Sequence, residues 1–190
     1  MIDKKSTQTG TKPRTVCVFC GASNNIPKKF LEIGGDFGKV LAQRDITLVY
    51  GGGDCGVMGA VANAVMANEG HATGVFPVSL RNIENEHQSL TEIIIVDTMH
   101  ERKMKMFERS DAFVIFPGGF GTMDEMFEIL TWKQLALHDK PVIIFNYQGY
   151  WDPLIALMKN IIEVGFAKPV TSTYYHVVTE LDQIMDILDS

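Results

Sequence analysis

The sequence has no apolar run approaching the roughly 20 residues that a membrane-spanning helix needs. Its net charge is −6 and it contains no basic tract of the kind that binds nucleic acid electrostatically. Residues 1–13 are polar and lack the hydrophobic segment of a signal peptide. We therefore expect a cytoplasmic protein with no membrane or nucleic-acid partner, in which residues 1–13 form a flexible tail.

Cysteine is scarce as well. Cys17, Cys20 and Cys55 are an odd number, which does not suggest a disulfide framework. Cys17 and Cys20 form a C-x-x-C match, but they lie in the apolar run 16–20, which is typical of a buried strand. Residues three apart in a strand point to opposite faces, so these thiols should not share a metal ion or form a redox disulfide. We interpret them as small core residues in a reducing cytosol.

What the sequence does contain is a regular alternation of short apolar runs with longer helical patterns. Most of the short runs are apolar throughout, which is typical of parallel strands covered on both faces. A chain of 190 residues is long enough to bury a core of its own. We predict an α/β fold with a doubly wound, Rossmann-like parallel sheet, in a single domain over residues 14–190.

The limits of these runs give the predicted elements. The strands are 15–19, 46–50, 72–76, 93–96, 112–116 and 142–145, with a weaker one near 175–178. The helices lie near 28–43, 57–69, 99–109, 122–138, 151–164 and 180–188. In a doubly wound fold the ligand binds beyond the carboxyl ends of the strands, so a site is expected in the loops that follow them.

Three of these loops are rich in glycine and small residues. They are 21–23, 51–53 and 117–122. The second matches a dinucleotide-binding fingerprint, with Gly51, Gly53 and Gly56 between a strand and a helix. That fingerprint also needs an acidic residue at the end of the next strand, where residues 75–77 are apolar. Two other interpretations stay open: a tight turn that packs helix against sheet, and a close backbone approach to a smaller ligand.

The loop 117–122 carries the stronger signal for phosphate. Its glycines let the backbone approach a ligand, and the helix that follows directs its first N–H groups and positive dipole end to the same place. No G-x-x-x-x-G-K-[ST] motif occurs, which argues against the P-loop of a nucleoside triphosphatase. The segment predicts a phosphate cradle built from backbone amides, without a lysine.

Glu125 follows this loop, and its spacing supports two interpretations. Thr122-x-x-Glu125 fits a capping box, in which the glutamate only binds a backbone amide at the helix start, and Thr98-x-x-Glu101 fits the same pattern. The alternative is chemistry, because Glu125 is a carboxylate beside a phosphate cradle at the end of a strand. Glu128, one turn further on, either shares that face or is a solvated or interface position.

Arg102 and Lys103 lie near the start of the helix at 99–109. Cations near a helix N-terminus interact unfavourably with the helix dipole, so their presence suggests an anionic ligand nearby. Surface charges also occur at such positions without a ligand. We take Arg102 as a candidate functional residue.

Several motifs occur in order along residues 15–168. They are Phe19-Cys20-Gly21-Ala22-Ser23, Tyr50-Gly51-Gly52-Gly53, Met99-His100-Glu101-Arg102-Lys103, Pro117-Gly118-Gly119-x-Gly121-Thr122-x-x-Glu125, Thr131-Trp132 and His138-Asp139-Lys140-Pro141. Together they resemble the Lonely Guy family, whose members are cytokinin riboside 5′-monophosphate phosphoribohydrolases and whose bacterial members often carry lysine decarboxylase-like or AMP nucleosidase names.

The resemblance implies hydrolysis of the N-glycosidic bond of AMP or an N6-modified cytokinin riboside monophosphate, giving free base and ribose 5-phosphate. It implies that Arg102 and Glu125 are the catalytic pair, and the reaction requires neither a metal nor a cofactor. The implied substrate-binding residues are Gly21, Ser23, Gly51, Gly52, Gly53, Met99, Lys103, Gly118, Gly119, Gly121 and Thr122. The family also implies a dimer or a larger assembly; we expect a homodimer, with the apolar helix at 122–138 near its interface.

Departure of the base leaves cationic character on the ribose, as in glycoside hydrolysis, and a fixed carboxylate such as Glu125 would stabilise it or activate the attacking water. Two other functions stay open. One is a non-catalytic nucleotide or cofactor carrier of the same fold, against which the joint presence of Arg102 and Glu125 argues. The other is a pyridoxal-dependent decarboxylase, for which Lys103 would have to form the Schiff base.

Overall fold

The computed structural model describes residues 15–80 and 85–190. The tail expected at 1–13 lies outside these residues. The described residues form one parallel sheet of seven strands with helices on both faces, which confirms the α/β, doubly wound prediction. In these ranges, no helix has both the length and the apolar character that a membrane span requires.

Every predicted strand and helix is present. The strands are β1 (Thr15–Phe19), β2 (Thr47–Tyr50), β3 (Ala72–Pro77), β4 (Glu92–Val96), β5 (Ala112–Ile115), β6 (Val142–Phe145) and β7 (His176–Val178). The helices are α1 (Lys28–Gln43), α2 (Gly56–Ala67), α3 (Met99–Glu108), α4 (Phe120–Gln134), α5 (Asp152–Glu163) and α6 (Leu181–Leu188). All predicted bounds but one lie within two residues of these.

The strand order is β4-β3-β2-β1-β5-β6-β7, with every neighbouring pair parallel. The chain starts in the middle, runs outward to β4, and returns to the other side of β1 as β5. The order therefore reverses between β1 and β5, whose pairing runs from Val16 beside Ala112 to Phe19 beside Ile115. At such a switch point the flanking helices lie on opposite faces, and a crevice opens beyond the strand ends.

Two apolar layers cover the sheet. One contains residues of α1, α2 and α6, and the other contains residues of α3, α4 and α5. Cys20 packs in the first layer and Cys17 in the second, which confirms that the two thiols face opposite sides of the sheet. Burial raises the pKa of both thiols, so they stay protonated.

The prediction for α4 was wrong at its C-terminal end, because the helix stops at Gln134 rather than at 138. The N–H of Ala136 donates to the carbonyl of Lys133, and that of Leu137 donates to the carbonyl of Trp132. This is a Schellman termination with Ala136 in the left-handed region, at φ 57°. Glycine normally occupies that position, so the sequence carried no stop signal.

Candidate active site

A pocket of about 480 Å³ lies at the switch point, beyond the carboxyl ends of β1 and β5. That volume is within the range of small-molecule sites. One wall is polar and is formed by Gly21, Ser23, Arg102, Gly118, Gly119, Gly121, Thr122 and Glu125. The rest of the lining is largely apolar, and we call it the apolar wall: Ala22, Ile26, Pro27, Phe30, Met58 and Tyr150. Cys20 and Pro117 complete the lining.

The β5–α4 loop, residues 116–119, leads directly into the polar wall. Helix α4 begins after Gly119, which has extended backbone and provides no side-chain cap. The first amides of a helix have no partner inside it, so here they are available to a ligand in the pocket. Gly118 has to be glycine, because a Cβ there would lie 2.1 Å from Oγ1 of Thr122.

Two donors from other elements hold this loop in place. The carbonyl of Pro117 accepts from the N–H of Gly21 at 3.1 Å. The carbonyl of Gly118 accepts from the hydroxyl of Tyr150 at 2.6 Å. In a trans peptide the N–H points opposite to the C=O, so fixing the Gly118 carbonyl also fixes the direction of the Gly119 N–H.

The two segments that match a capping box behave differently. Thr98 caps α3, where its side chain accepts from the N–H of Glu101 and the Glu101 carboxylate accepts from the N–H of Thr98. Helix α4 begins at Phe120, so Thr122 already lies in its first turn and Glu125 in its second. The capping interpretation of Glu125 was therefore wrong, and its carboxylate lines the pocket.

Glu125 and Arg102 meet at the polar wall. Their side chains are 11% and 9% exposed, and Nη1 of Arg102 lies 3.8 Å from Oε1 of Glu125. Two carbonyls fix the guanidinium: Nε donates to Val75 at 3.3 Å and Nη2 to Gly51 at 3.2 Å. These bonds offset the cost of burying the arginine and leave its Nη1 edge directed at Glu125.

The carboxyl group of Glu125 titrates in an unusual range. Burial raises its pKa from the ordinary 4.5 to about 7, although the Arg102 guanidinium acts in the opposite direction. A carboxyl group with a pKa near neutrality exchanges a proton readily at physiological pH, which is the property expected of a general base or acid.

The β2–α2 loop, residues 51–55, does not line the pocket. Gly51 lies behind the wall, where an added Cβ would be 1.8 Å from Nη2 of Arg102. Gly52 packs on Phe76, and Gly53 pairs with Glu86 in an antiparallel bridge. All three glycines are buried, so they support Arg102 and the packing of this region rather than contacting a ligand in this pocket.

The start of α2 is also closed to a ligand. The carbonyl of Gly21 accepts from the N–H groups of Val57 and Met58, at 2.9 and 3.3 Å. The side-chain oxygen of Asn24 accepts from the N–H of Gly56 at 2.7 Å. The first amides of α2 are therefore satisfied within the protein, and a dinucleotide phosphate has no donors to bind there.

Met99 and Lys103 also lie off the pocket, although the resemblance assigned both to substrate binding. Met99 is the first residue of α3 and is partly exposed. Lys103 donates to Asp124 and to Glu128, at 3.1 Å each. Partial burial lowers the pKa of Lys103, but these two carboxylates outweigh burial and raise it. Such an amine stays protonated and does not suit a Schiff base, and the described pocket lining includes no lysine. A pyridoxal group does not fit this site.

Sequence reasoning missed the apolar wall. Phe30 and Tyr150 meet there edge to face, with ring centroids 5.5 Å apart. Tyr150 follows β6, so the rule that ligands bind beyond strand ends would have pointed to it. Ile26, Pro27 and Phe30 lie at and before the start of α1, and no motif marked them.

Sequence comparison identifies relatives along most of the chain. A family model described as "Possible lysine decarboxylase" matches residues 58–188. A probable cytokinin riboside 5′-monophosphate phosphoribohydrolase of Oryza sativa subsp. japonica is 43% identical over 82% of this chain, and the match spans 64% of that relative's own length. A cytokinin riboside 5′-monophosphate phosphoribohydrolase of Arabidopsis thaliana is 41% identical over 84% of this chain and 74% of its own.

Structure comparison shows the same fold in more distant proteins. The molybdenum cofactor binding protein of Rippkaea orientalis superposes with a TM-score of 0.71 at 18% identity, over 94% of this chain and 96% of that one. A molybdenum cofactor carrier protein of Chlamydomonas reinhardtii gives 0.70 at 19% identity, over 94% and 96%. The sequence relatives are far closer, and their similarity extends over most of the residues that fold into the sheet and its pocket. On that extent of identity, the chain belongs to the Lonely Guy family of cytokinin riboside 5′-monophosphate phosphoribohydrolases.

Proposed function

We propose that this protein hydrolyses the N-glycosidic bond of an adenine-type nucleoside 5′-monophosphate, giving the free base and ribose 5-phosphate, with residues 14–190 as one catalytic unit. One observation carries the proposal. A buried carboxyl group with a pKa of about 7, that of Glu125, lies 3.8 Å from the Arg102 guanidinium in a pocket that an uncapped helix start also lines. The names of the sequence relatives support the same reaction.

The 5′-phosphate binds at the start of α4. Gly118, Gly119, Gly121 and Thr122 line that end of the pocket, and the helix dipole favours an anion there. A hydrogen bond to a charged group contributes about 1.5–3 kcal/mol, so two or three such bonds make the phosphate decisive for binding. Gly21 and Ser23 line the same pocket and would contact the ribose phosphate bound there.

Glu125 acts on the ribose. As the bond from C1′ to the base breaks, its electrons leave with the base and the ring becomes cationic. The Glu125 carboxylate stabilises that charge and takes a proton from the water that attacks C1′. The departing base gains one proton, which equals the proton that the water gives up to Glu125, so the hydrolysis consumes water and releases no net proton. Arg102 offers its Nη1 edge to negative charge, either on the phosphate or on the leaving base.

The base lies against the apolar wall. Ile26, Phe30, Met58 and Tyr150 offer an aliphatic and aromatic surface to a purine ring. Both AMP and an N6-modified cytokinin riboside monophosphate meet these requirements.

A substrate panel tests the proposal. The protein is incubated with AMP, an N6-prenylated AMP, adenosine and ATP, and the free base is measured by chromatography. We expect one or both monophosphates to be cleaved, and adenosine to have a kcat/KM at least about 10²-fold lower because its ribose is not anchored. ATP should also be poor. Tight nucleotide binding without turnover would instead indicate a carrier, and equal values for adenosine and AMP would contradict the phosphate site.

We further propose a homodimer whose interface lies near α4. Phe127, Leu135 and Leu137 leave 37%, 62% and 65% of their surface exposed on and just after this helix. Light scattering at micromolar concentration should give twice the mass of one chain, and Leu135→Asp should reduce it. A wild-type monomer would contradict this.

We also propose a cytoplasmic location, because Cys17 and Cys20 are buried free thiols on opposite faces of the sheet, as in proteins of reducing compartments.

A further inference from the structure

The β6–α5 loop, residues 146–151, turns sharply at the edge of the sheet that carries the pocket. Gln148 and Gly149 both adopt the left-handed region, at φ 52° and φ 74°. That region is unfavourable for a residue with a Cβ, such as glutamine, so the loop keeps this shape only where other contacts impose it. The same contacts therefore decide where the next residue, Tyr150, lies.

Asn146 provides these contacts. It is the first residue after β6 and is only 7% exposed. Its side-chain Oδ1 accepts from the N–H of Trp151 at 2.7 Å, and its Nδ2 donates to Oδ1 of Asp152 at 2.7 Å. Its backbone carbonyl accepts from the N–H of Gly149 at 3.2 Å. One buried residue thus joins the end of β6 to the start of α5 and closes the loop between them.

Tyr150 depends on this loop for its position. It is 41% exposed, so burial in the core does not hold it. Its hydroxyl donates to the carbonyl of Gly118 at 2.6 Å, and its ring meets Phe30 edge to face. Because that carbonyl and the N–H of Gly119 belong to one rigid peptide group, the hydroxyl of Tyr150 also sets the direction of this N–H.

We propose that Asn146 is a positioning residue for the phosphate site: by closing the β6–α5 loop it holds Tyr150 against the Gly118 carbonyl, and so keeps the Gly119 N–H in the direction that phosphate requires. Asn146 is not part of the described pocket lining, so it acts through Tyr150. This inference deepens the proposed function, and its kinetic consequence rests on that function. Its structural part can be measured without a ligand.

A merely structural role of Asn146 has a different signature. Loss of a buried, hydrogen-bonded side chain destabilises a fold wherever it lies, and it leaves a preference between two ligands unchanged. A residue that acts through Tyr150 changes the preference for AMP over adenosine, because only AMP carries the phosphate. Its effect also disappears when the hydroxyl of Tyr150 is already absent, since two changes to one contact do not add.

The experiment measures kcat/KM for AMP and for adenosine in the wild type, Asn146→Ala, Tyr150→Phe and the double variant. We expect each single variant to lower the preference for AMP by about threefold to tenfold, as for loss of one neutral hydrogen bond. The double variant should differ from Tyr150→Phe by less than about twofold. Additive losses, an equal loss for both substrates, or an unchanged preference in Asn146→Ala would each overturn the proposal.

Ser110→Ala is the matched control. Ser110 is 2% exposed, and its hydroxyl donates to the carbonyl of Met106 at 2.8 Å. It lies just before β5, at the opposite edge of the sheet from the pocket. This variant also loses a buried hydrogen bond, so it should lower stability and keep the wild-type preference for AMP.

Exchanging the two side chains provides a rescue. Asn146→Asp places a second carboxylate against Asp152, and like charges repel, so the preference for AMP should fall. Adding Asp152→Asn restores one donor and one acceptor between positions 146 and 152, and the preference should return to within about twofold of the wild type. If Asn146→Ala does not fold, this pair of variants tests the proposal. An exchange variant that folds but keeps the defect of Asn146→Asp would overturn it.

A measurement without ligand separates this proposal from the proposed function. The protein is labelled with ¹⁵N-glycine, and the Gly119 amide is assigned by its loss in Gly119→Ala. A hydrogen bond to the Gly118 carbonyl polarises the peptide group, so its loss should shift the Gly119 resonance. We expect shifts in the same direction in Asn146→Ala and Tyr150→Phe, and none in Ser110→Ala. If the wild type cleaves no nucleotide, the proposed function fails, yet these shifts still support the role of Asn146; an unmoved resonance in Asn146→Ala overturns it.

Discussion

The β2–α2 loop and the β5–α4 loop resemble each other in sequence, since each places glycines between a buried strand and a helix. Their surroundings differ. The first amides of α2 bind the Gly21 carbonyl and the Asn24 side chain, whereas α4 begins without a side-chain cap at the pocket. A glycine pattern therefore does not by itself identify a ligand site. What decides is whether another part of the chain already satisfies the helix amides.

One neighbouring segment produces this difference. The β1–α1 loop, residues 20–27, gives the carbonyl of Gly21 to α2 and the N–H of Gly21 to Pro117. It closes one helix start and, by holding the Pro117 carbonyl, orients the loop that leads to the other. Gly56 permits this close approach, because a Cβ there would lie 2.7 Å from backbone atoms of Gly21 and Ser23.

The largest expected effect is on turnover, and it should distinguish Glu125 from Glu101, the two glutamates whose spacing fits a capping box. Glu125→Gln should lower turnover by about 10²-fold or more, as for loss of a general base, while nucleotide binding largely survives. Glu101→Gln should leave turnover and the free energy of unfolding nearly unchanged, since Glu101 only caps α3 and glutamine also fills this position of a capping box, as Gln183 does in α6. Steady-state kinetics and thermal unfolding measure both. Near wild-type turnover in Glu125→Gln would make it a structural residue.

Alanine in the two glycine loops should damage different steps. Gly118→Ala forces its Cβ against Thr122, so we expect about a 10²-fold loss in kcat/KM for AMP and little change for adenosine. Gly51→Ala displaces the Arg102 guanidinium, so turnover should fall; inhibition by inorganic phosphate should persist if Arg102 serves the leaving base and weaken if it serves the phosphate. Competition assays with phosphate measure the distinction. Identical kinetic defects in the two variants would erase the proposed difference between the loops.

The raised pKa of Glu125 should also make folding depend on pH. Between about 4.5 and about 7 the folded state keeps this proton and the unfolded state loses it, so stability falls as pH rises through that window. Glu125→Gln lacks the effect. The stability of this variant relative to the wild type should therefore rise as the pH is raised from 4.5 to 8, by at most about 3 kcal/mol. Denaturant unfolding of both proteins at pH 4.5 and pH 8 measures this. If the two proteins differ in free energy of unfolding by the same amount at both pH values, the raised pKa of Glu125 is contradicted.

The smallest expected effect concerns the orientation of the phosphate loop. Tyr150→Phe removes one hydrogen bond to the Gly118 carbonyl and keeps the ring against Phe30. A neutral hydrogen bond contributes about 0.5–1.5 kcal/mol, so the preference for AMP over adenosine should fall by up to about tenfold. Tyr147→Phe is the control, because Tyr147 also contacts Phe30 but lies outside the pocket lining. An equal loss for adenosine would show that Tyr150 serves the base instead.

The sequence predicted the sheet well because its strands are continuously apolar and its helices lie between them. One helix end was not predicted. Ala136 adopts positive φ just after α4, at a position that glycine usually occupies, so no residue there indicated the stop. Asp45 and Glu69 adopt positive φ just after α1 and α2, yet the predicted ends of those helices lie within two residues of the observed ones. After α5 the stop is Gly165, and the predicted end was correct within one residue.

For the site, residues at strand ends were predictable and their partners were not. Arg102 and Glu125 come to one wall because parallel strands end at the same edge of the sheet. The family resemblance implies substrate contacts for Gly51 and Lys103; in the structure Gly51 lies behind Arg102, and Lys103 binds two carboxylates. Such roles depend on contacts between elements about 20 to 50 positions apart, which local spacing does not encode.

The close packing of the Arg102 guanidinium against Gly51 also limits which substitutions such a protein can accept. A methyl group at 51 and a guanidinium at 102 would occupy the same space, so position 51 cannot gain a side chain while position 102 keeps its arginine. Homologues that acquire a side chain at 51 should carry a shorter residue at 102 and should have lost the arginine's role. Paired substitution at these two positions in an alignment would then mark lineages that adopted a different chemistry on the same sheet.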